Sequence, residues 1–254
     1  MIDQLRSELI KLRTVRSTVI MLGIVVLLSL VPAVLLSALV GKNDLLTTNE
    51  LDRVSIVLIG AQLSQILVAV IAALVMAGEF RFGTIRTTFV AEPHRLRVLA
   101  AKAITVAVLA AVVATIMVAV ASGVGGAIMR ARDIGYPYGG EAWRLHYGVV
   151  LYSVFYAVIA LAIATLVRNA AASIVLVIVV PLIVETIITA ILTATKHESW
   201  ARWLPFSAGG EISSAHTGES VVERLSPWTG YGYAWLWAAA LLALGGLLLH
   251  RRDA

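Results

Sequence analysis

Six apolar runs separated by short polar stretches organise the chain: 17–40, 54–78, 98–122, 145–167, 170–195 and 231–250. Each is continuously apolar, and each reaches the roughly 20 residues that a helix needs to cross about 30 Å of hydrocarbon. A barrel strand alternates between lipid-facing and lumen-facing positions. These runs do not, so the pattern predicts helices, which satisfy their own backbone groups in lipid. Pro32 and Pro181 fall inside two of the runs and predict local kinks that neighbouring helices can accommodate. The fold predicted is an all-α polytopic membrane protein: six transmembrane helices in a single domain over 1–254.

The polar stretches carry their own patterns. Ahead of the first run, Ile2, Leu5, Leu9 and Leu12 form one helical stripe flanked or opposed by Arg6, Lys11 and Arg13. This predicts an amphipathic interfacial helix over 1–16, either a plain juxtamembrane anchor or one that also touches a cytoplasmic partner. The first run far exceeds the roughly 7–15 residues of a signal-peptide core, so it reads as a retained helix. The stretch 196–230 is the longest between runs. Trp200, Trp203, Leu204 and Phe206 there suit an aromatic belt at the outer interface, and Pro205 with Gly209-Gly210 predicts a short re-entrant turn. It reads either as a cap over the exit of a transport path or as an anchor.

Composition agrees with the pattern. Sixty per cent of residues are hydrophobic and 14% charged, too little polar surface for a soluble domain of this length. Most of the 20 Lys and Arg residues fall on one side of the six-span layout: the N-terminus, 79–102, Arg168 and the C-terminus. Acidic residues lean to the other side, so both termini are predicted to be cytoplasmic. The net charge of +5 follows from that sorting. The basic residues flank spans and form no continuous patch, so nucleic acid is not an expected partner. Cysteine is absent, which excludes disulfides and thiolate chemistry.

The richest polar stretch is 79–102, EFRFGTIRTTFVAEPHRLRVLAAK. Gly83-Thr84 predicts the start of a short helix with Thr84 as N-cap, and Pro93 after Glu92 predicts its end. Phe82, Ile85 and Phe89 are expected to share one face, with Arg81 and Arg86 pointing elsewhere. Such a helix suits a groove on a soluble protein; the plainer reading is a solvated basic turn. His94, Arg95 and Arg97 lead back to the membrane, where anionic headgroups would hold them.

Inside the runs one acidic residue stands alone, Glu185. A carboxylate at that depth is costly, so it is expected to face the bundle or water, with Gln62, Ser64 and Gln65 of the second run as candidate partners. A role in a substrate path or at a subunit contact competes with a structural hydrogen bond. No phosphate-binding loop is present: Gly41-Lys42 is preceded by Leu36 and followed by Asn43. No HExxH or GxSxG motif occurs, and the five histidines form no metal-like cluster, so no catalytic site and no bound cofactor are expected.

Six spans, the basic SELIKLRTVRST segment and EFRFGTIRTT…PHR…K after the second span resemble the small six-helix ABC exporter permeases of bacteria, especially the high-GC Gram-positive kind. The resemblance implies a coupling helix in the first cytoplasmic loop, framed by Glu79, Gly83, Thr84, Pro93 and Arg95, with Phe82, Ile85, Arg86 and Phe89 on it. It further implies two copies of a separate ABC-type ATPase that bind ATP and Mg, a second permease chain, and a bacterial plasma membrane. The cargo expected is amphipathic or hydrophobic: a drug, natural product, lipid or peptide. The alternatives are a proton-driven carrier using Glu185, an intramembrane enzyme using Glu185 or His146, and a non-transporting anchor that recruits an ATPase.

Overall fold

The computed structural model describes residues 16–41, 49–92, 94–215 and 224–251, and among these every regular element is helical. The helices are α1 (Arg16–Leu39), α2 (Glu50–Arg81), α3 (Ile85–Ala91), α4 (Arg95–Arg130), α5 (Glu141–Val167), α6 (Ala170–Val179), α7 (Glu185–Ala194), α8 (Pro205–Gly210) and α9 (Pro227–Arg251). A π-helical turn, Val180–Val184, joins α6 to α7 into one span. Short 3-10 turns, Glu198–Trp203 and Glu211–Ser213, flank α8. Six spans result, as the apolar runs predict. The expected interfacial helix at 1–16 lies outside the described residues, apart from Arg16 at the start of α1.

The helices outrun the apolar runs. α2 has 32 residues and α4 has 36; at 1.5 Å per residue these measure about 48 Å and about 54 Å, well beyond a hydrocarbon layer of about 30 Å. Hydropathy marks the part immersed in lipid, whereas the helix continues wherever its ends are favourable. Glu50 and Asp52 sit in the first turn of α2 and Arg81 in its last, which complements the helix dipole at both ends.

Packing centres on α5, where Phe155, Leu161 and the run of Ala157, Ala160, Ala162 and Ala164 are fully buried. α2 lies along α5, α1 and α4 close one side, and α9 the other. Small residues let these helices approach closely. Gly125 and Gly126 of α4 leave no room for a side chain, against Val57 and against Tyr136 and Tyr138 respectively, whereas Gly123 faces open space. Pro181 cannot donate to the carbonyl of Val177; the Tyr156 hydroxyl of α5 donates to that carbonyl instead, at 2.7 Å. The kink expected at Pro181 is thus a π-helical turn held from outside.

Arginines close several helix ends. Arg132 donates to the Ser37 and Ala38 carbonyls at the end of α1, both at 2.9 Å. Arg168, in the left-handed turn after α5, donates to the Leu248 carbonyl of α9 at 3.2 Å. Asn169 beside it caps α6 by accepting from the Ala172 amide at 3.0 Å.

Candidate functional site

Two places gather the residues that the sequence singles out. The first is the short helix α3 between the second and third spans. Gly83 has φ +70°, a left-handed conformation in which a side chain is strained, and this turn separates α2 from α3. Glu92 ends the helix in extended backbone; Pro93 lies outside the described residues. Thr84 precedes α3, but its side chain does not cap it. Its carbonyl instead accepts from the Thr87 and Thr88 hydroxyls at 2.7 and 3.1 Å. Glu92 accepts from the His94 ring at 2.8 Å, and that bond holds its carboxyl below the usual range.

The faces of α3 differ from expectation. Ile85 is buried and Phe89 half-buried against the bundle, but Phe82 is 74% exposed. The turn at Gly83 takes Phe82 out of the helical register, so it does not share the inner face. The outward surface is Phe82, Arg86 and Val90, the last 84% exposed. An aromatic and a branched aliphatic side chain thus stand on the exposed end of the protein beside a basic one.

Buried polar contacts anchor this element. Glu79, the first residue of the candidate motif, points inward and meets Lys102 Nζ at 2.7 Å. Lys102 is fully buried. The pair joins the last turn of α2 to α4 behind α3, so Glu79 is a brace and not part of an outer surface. Arg95 stacks over Phe89 at 5.2 Å and donates to the Leu249 carbonyl of α9. Arg168 stacks over Phe80 at 5.3 Å and donates one residue earlier, to Leu248. Arg95 directly, and Phe80 through Arg168, thus connect the 79–95 hairpin to the last turn of α9.

The second place surrounds Glu185. It is 4% exposed, and its carboxylate accepts from the Phe206 amide at 2.8 Å, the Ser207 amide at 2.8 Å and the Ser207 hydroxyl at 2.7 Å. It thereby caps α8 from the fifth span. At the other end Arg144 of α5 donates to the carbonyls of Glu211, Ile212 and Ser214 at 3.0 to 3.2 Å. A negative group at the start and a positive one at the end match the polarity of the helical segment between them. Gln62 donates to the Ser213 carbonyl at 3.2 Å and Tyr152 to that of Phe206 at 3.2 Å. Gly148 of α5 and Gly230 of α9 have no room for a side chain because the backbone of the segment, at Ile212 and Ala208, presses on them.

Neither Gln62 nor Gln65 bonds Glu185; Gln65 donates to the Val149 carbonyl at 3.3 Å. All three nevertheless line one cavity of about 270 Å³, with Tyr152, Tyr156 and Ser207. Of the expected outer-interface aromatics, Trp200 and Trp203 are exposed, while Phe206 is buried against Phe155 and Tyr156. Phe206 follows the turn at Pro205 inward and belongs to the core. His146 has both ring nitrogens engaged, with the Ala142 carbonyl at 2.6 Å and the Tyr136 hydroxyl at 3.1 Å. Tyr136, in the loop before α5, is pushed up to about 12 chiefly by burial. That is the geometry of a structural histidine.

Four residues of these sites have contacts that the sequence does not show. Lys102 closes the 79–102 stretch and lies inside an apolar run, but its pairing with Glu79 two helices earlier is visible only in the fold. Arg144, Tyr152 and Tyr156 bond backbone groups, which leaves no signature in the sequence.

Six apolar spans with an exposed short helix between the second and third define a polytopic helical membrane protein. The family model described as ABC-2 family transporter protein matches residues 4–185. The chain therefore belongs to that family, whose members are the membrane component of ABC transporters, carry no nucleotide-binding domain of their own and work with an ABC ATPase. The match stops at Glu185, so α8 and α9 lie beyond it. Comparison with curated proteins finds no match.

Proposed function

We propose that this chain is the membrane half of an ATP-driven exporter and that α3 is its docking point for the ATPase. The observation that carries this is the exposed Phe82–Arg86–Val90 surface, next to the point where the buried Glu79–Lys102 pair joins α2 to α4. Exposed apolar side chains on a short helix and on the turn before it suit a groove on a soluble partner. Two ATPase subunits and a second permease chain complete the assembly, in the bacterial plasma membrane with both termini in the cytoplasm. ATP and Mg belong to the ATPase. The cargo is amphipathic, and it leaves the cell.

Movement of α3 reaches the outer side through the contacts described above. Arg95 and Arg168 link the hairpin to the end of α9, and α9 packs on α8. A displacement at the ATPase is thus passed along one helix to the segment that Glu185 and Arg144 hold. Rigid elements that switch between two packings are the usual carriers of such coupling.

The chain has no cysteine, so a single Val90→Cys gives one reactive site. Membranes containing this variant and the ATPase are expected to yield a crosslinked pair with a short bifunctional reagent, and Val112→Cys on the exposed side of α4 none. Equal crosslinking at both positions, or none at 90, would count against α3 as the docking point.

A further inference from the structure

The cavity beside Glu185 has an unusual balance of hydrogen-bonding groups. Each amide, tyrosine and serine side chain around it donates one hydrogen bond within the protein. The Gln62 and Gln65 amide nitrogens donate to Ser213 and Val149 carbonyls. The Tyr152 and Tyr156 hydroxyls donate to Phe206 and Val177 carbonyls, and the Ser207 hydroxyl donates to Glu185. The backbone carbonyls fix both amide orientations, since a carbonyl oxygen can bond only the nitrogen end.

The two amide oxygens and the Glu185 carboxylate keep acceptor capacity beside the cavity. Among the described residues neither glutamine side-chain oxygen receives a hydrogen bond, although Gln65 is 2% exposed. A carboxylate offers about four acceptor positions, and three at Glu185 are filled. No described Lys, Arg or His pairs with it. Acceptor oxygens grouped around a carboxylate suit a cation that carries several N–H donors.

The mouth has the opposite character. Leu63 is 60% exposed, Leu182 49% and Ile59 40%, so the opening between α2 and the fifth span is apolar. From this juxtaposition we propose that the cavity binds a protonated amine carried on an apolar body, the ammonium N–H groups facing Glu185, Gln62 and Gln65 and the body lying in the mouth. The exporter reading leaves the cargo class open; this assignment rests on that reading and narrows the cargo to amphipathic amines. A neutral alcohol of the same shape brings one donor and no charge, and binds weakly.

The test is equilibrium binding of radiolabelled 4-phenylbutylamine to the purified full chain in phosphatidylcholine nanodiscs, with empty nanodiscs subtracted and 4-phenylbutanol as the neutral comparison. Saturable amine binding is expected, at least about tenfold tighter than the alcohol, a ratio of about 1.4 kcal/mol. Glu185→Gln removes that preference. Because Glu185 also holds α8, Gln65→Leu supplies the second variant; Gln65 makes no contact with α8 through its amide, and the change is expected to weaken the amine several-fold and the alcohol little. Equal affinity for amine and alcohol in the wild type, or an unchanged amine preference in Gln65→Leu, would overturn the assignment. The measurement uses no ATPase. An assembly that couples ATP turnover without amine preference sinks this site alone, whereas amine binding by a chain that recruits no ATPase sinks the exporter reading alone.

Discussion

Lys102 and Glu79 are the clearest case of one buried pair joining two spans beside a short connecting helix. An ammonium that is fully buried needs its carboxylate, because desolvating a charge costs several kcal/mol. Lys102→Met removes that counter-charge and is expected to destabilise the protein by about 3–5 kcal/mol, while Glu79→Leu with Lys102→Met restores most of the loss. Thermal unfolding of the detergent-solubilised variants checks this; a Lys102→Met protein as stable as wild type would contradict it. Glu185 makes a different prediction. In Glu185→Gln one oxygen becomes an NH2 that faces the donors of Phe206 or Ser207, and a donor against a donor costs about 1–3 kcal/mol. Faster hydrogen exchange over 205–213 is the outcome expected, with the spans themselves unchanged. Sequence showed that Glu185 mattered, as the lone acid in an apolar run. It did not show why, because the partners are backbone amides whose position depends on how α8 folds back.

At the scale of the element, α3 has an inner and an outer face with separate consequences. Phe82→Glu and Val90→Glu place charge on exposed positions, so they are expected to leave folding intact and abolish stimulation of the ATPase by the permease. Ile85→Glu buries a charge against the bundle and is expected to fail in assembly instead. Steady-state level in membranes and ATPase rate, measured on the same variants, separate the two classes. Gly83→Val forces a β-branched residue into a left-handed conformation at a cost of about 1–2 kcal/mol and is expected to reduce stimulation without altering insertion. The ends of α3 were legible because glycine and proline punctuate the chain on either side. Its orientation was not. Helical spacing placed Phe82 with Ile85 and Phe89, and the left-handed turn at Gly83 cancels that register.

Over the whole molecule, six apolar runs sufficed to give the number and order of the spans, since lipid admits few other structures for such runs. The lengths of the helices were not readable there, because polar residues continue a helix as readily as they end an apolar stretch. Arginines show the same limit. Counted as topological charge, Arg95 and Arg168 fall on one side and Arg132 and Arg144 on the other. In the fold all four donate to backbone carbonyls near the ends of helical segments. The two on the first side tie the 79–95 hairpin to α9, and Arg144 with Glu185 holds the 205–214 segment against α5 and α9. In the proposed assembly α3, α9 and α8 form one connected train that a separate ATPase moves.

Co-expression of the tagged chain with the ATPase, followed by purification in mild detergent, a mass measurement and an ATPase assay, tests that claim most directly. The result expected is a complex of two ATPase and two permease chains whose ATP turnover is lost in Phe82→Glu with Val90→Glu, while the variant permease still inserts. A chain that purifies alone after crosslinking in membranes, or a complex whose turnover ignores those two substitutions, would contradict it.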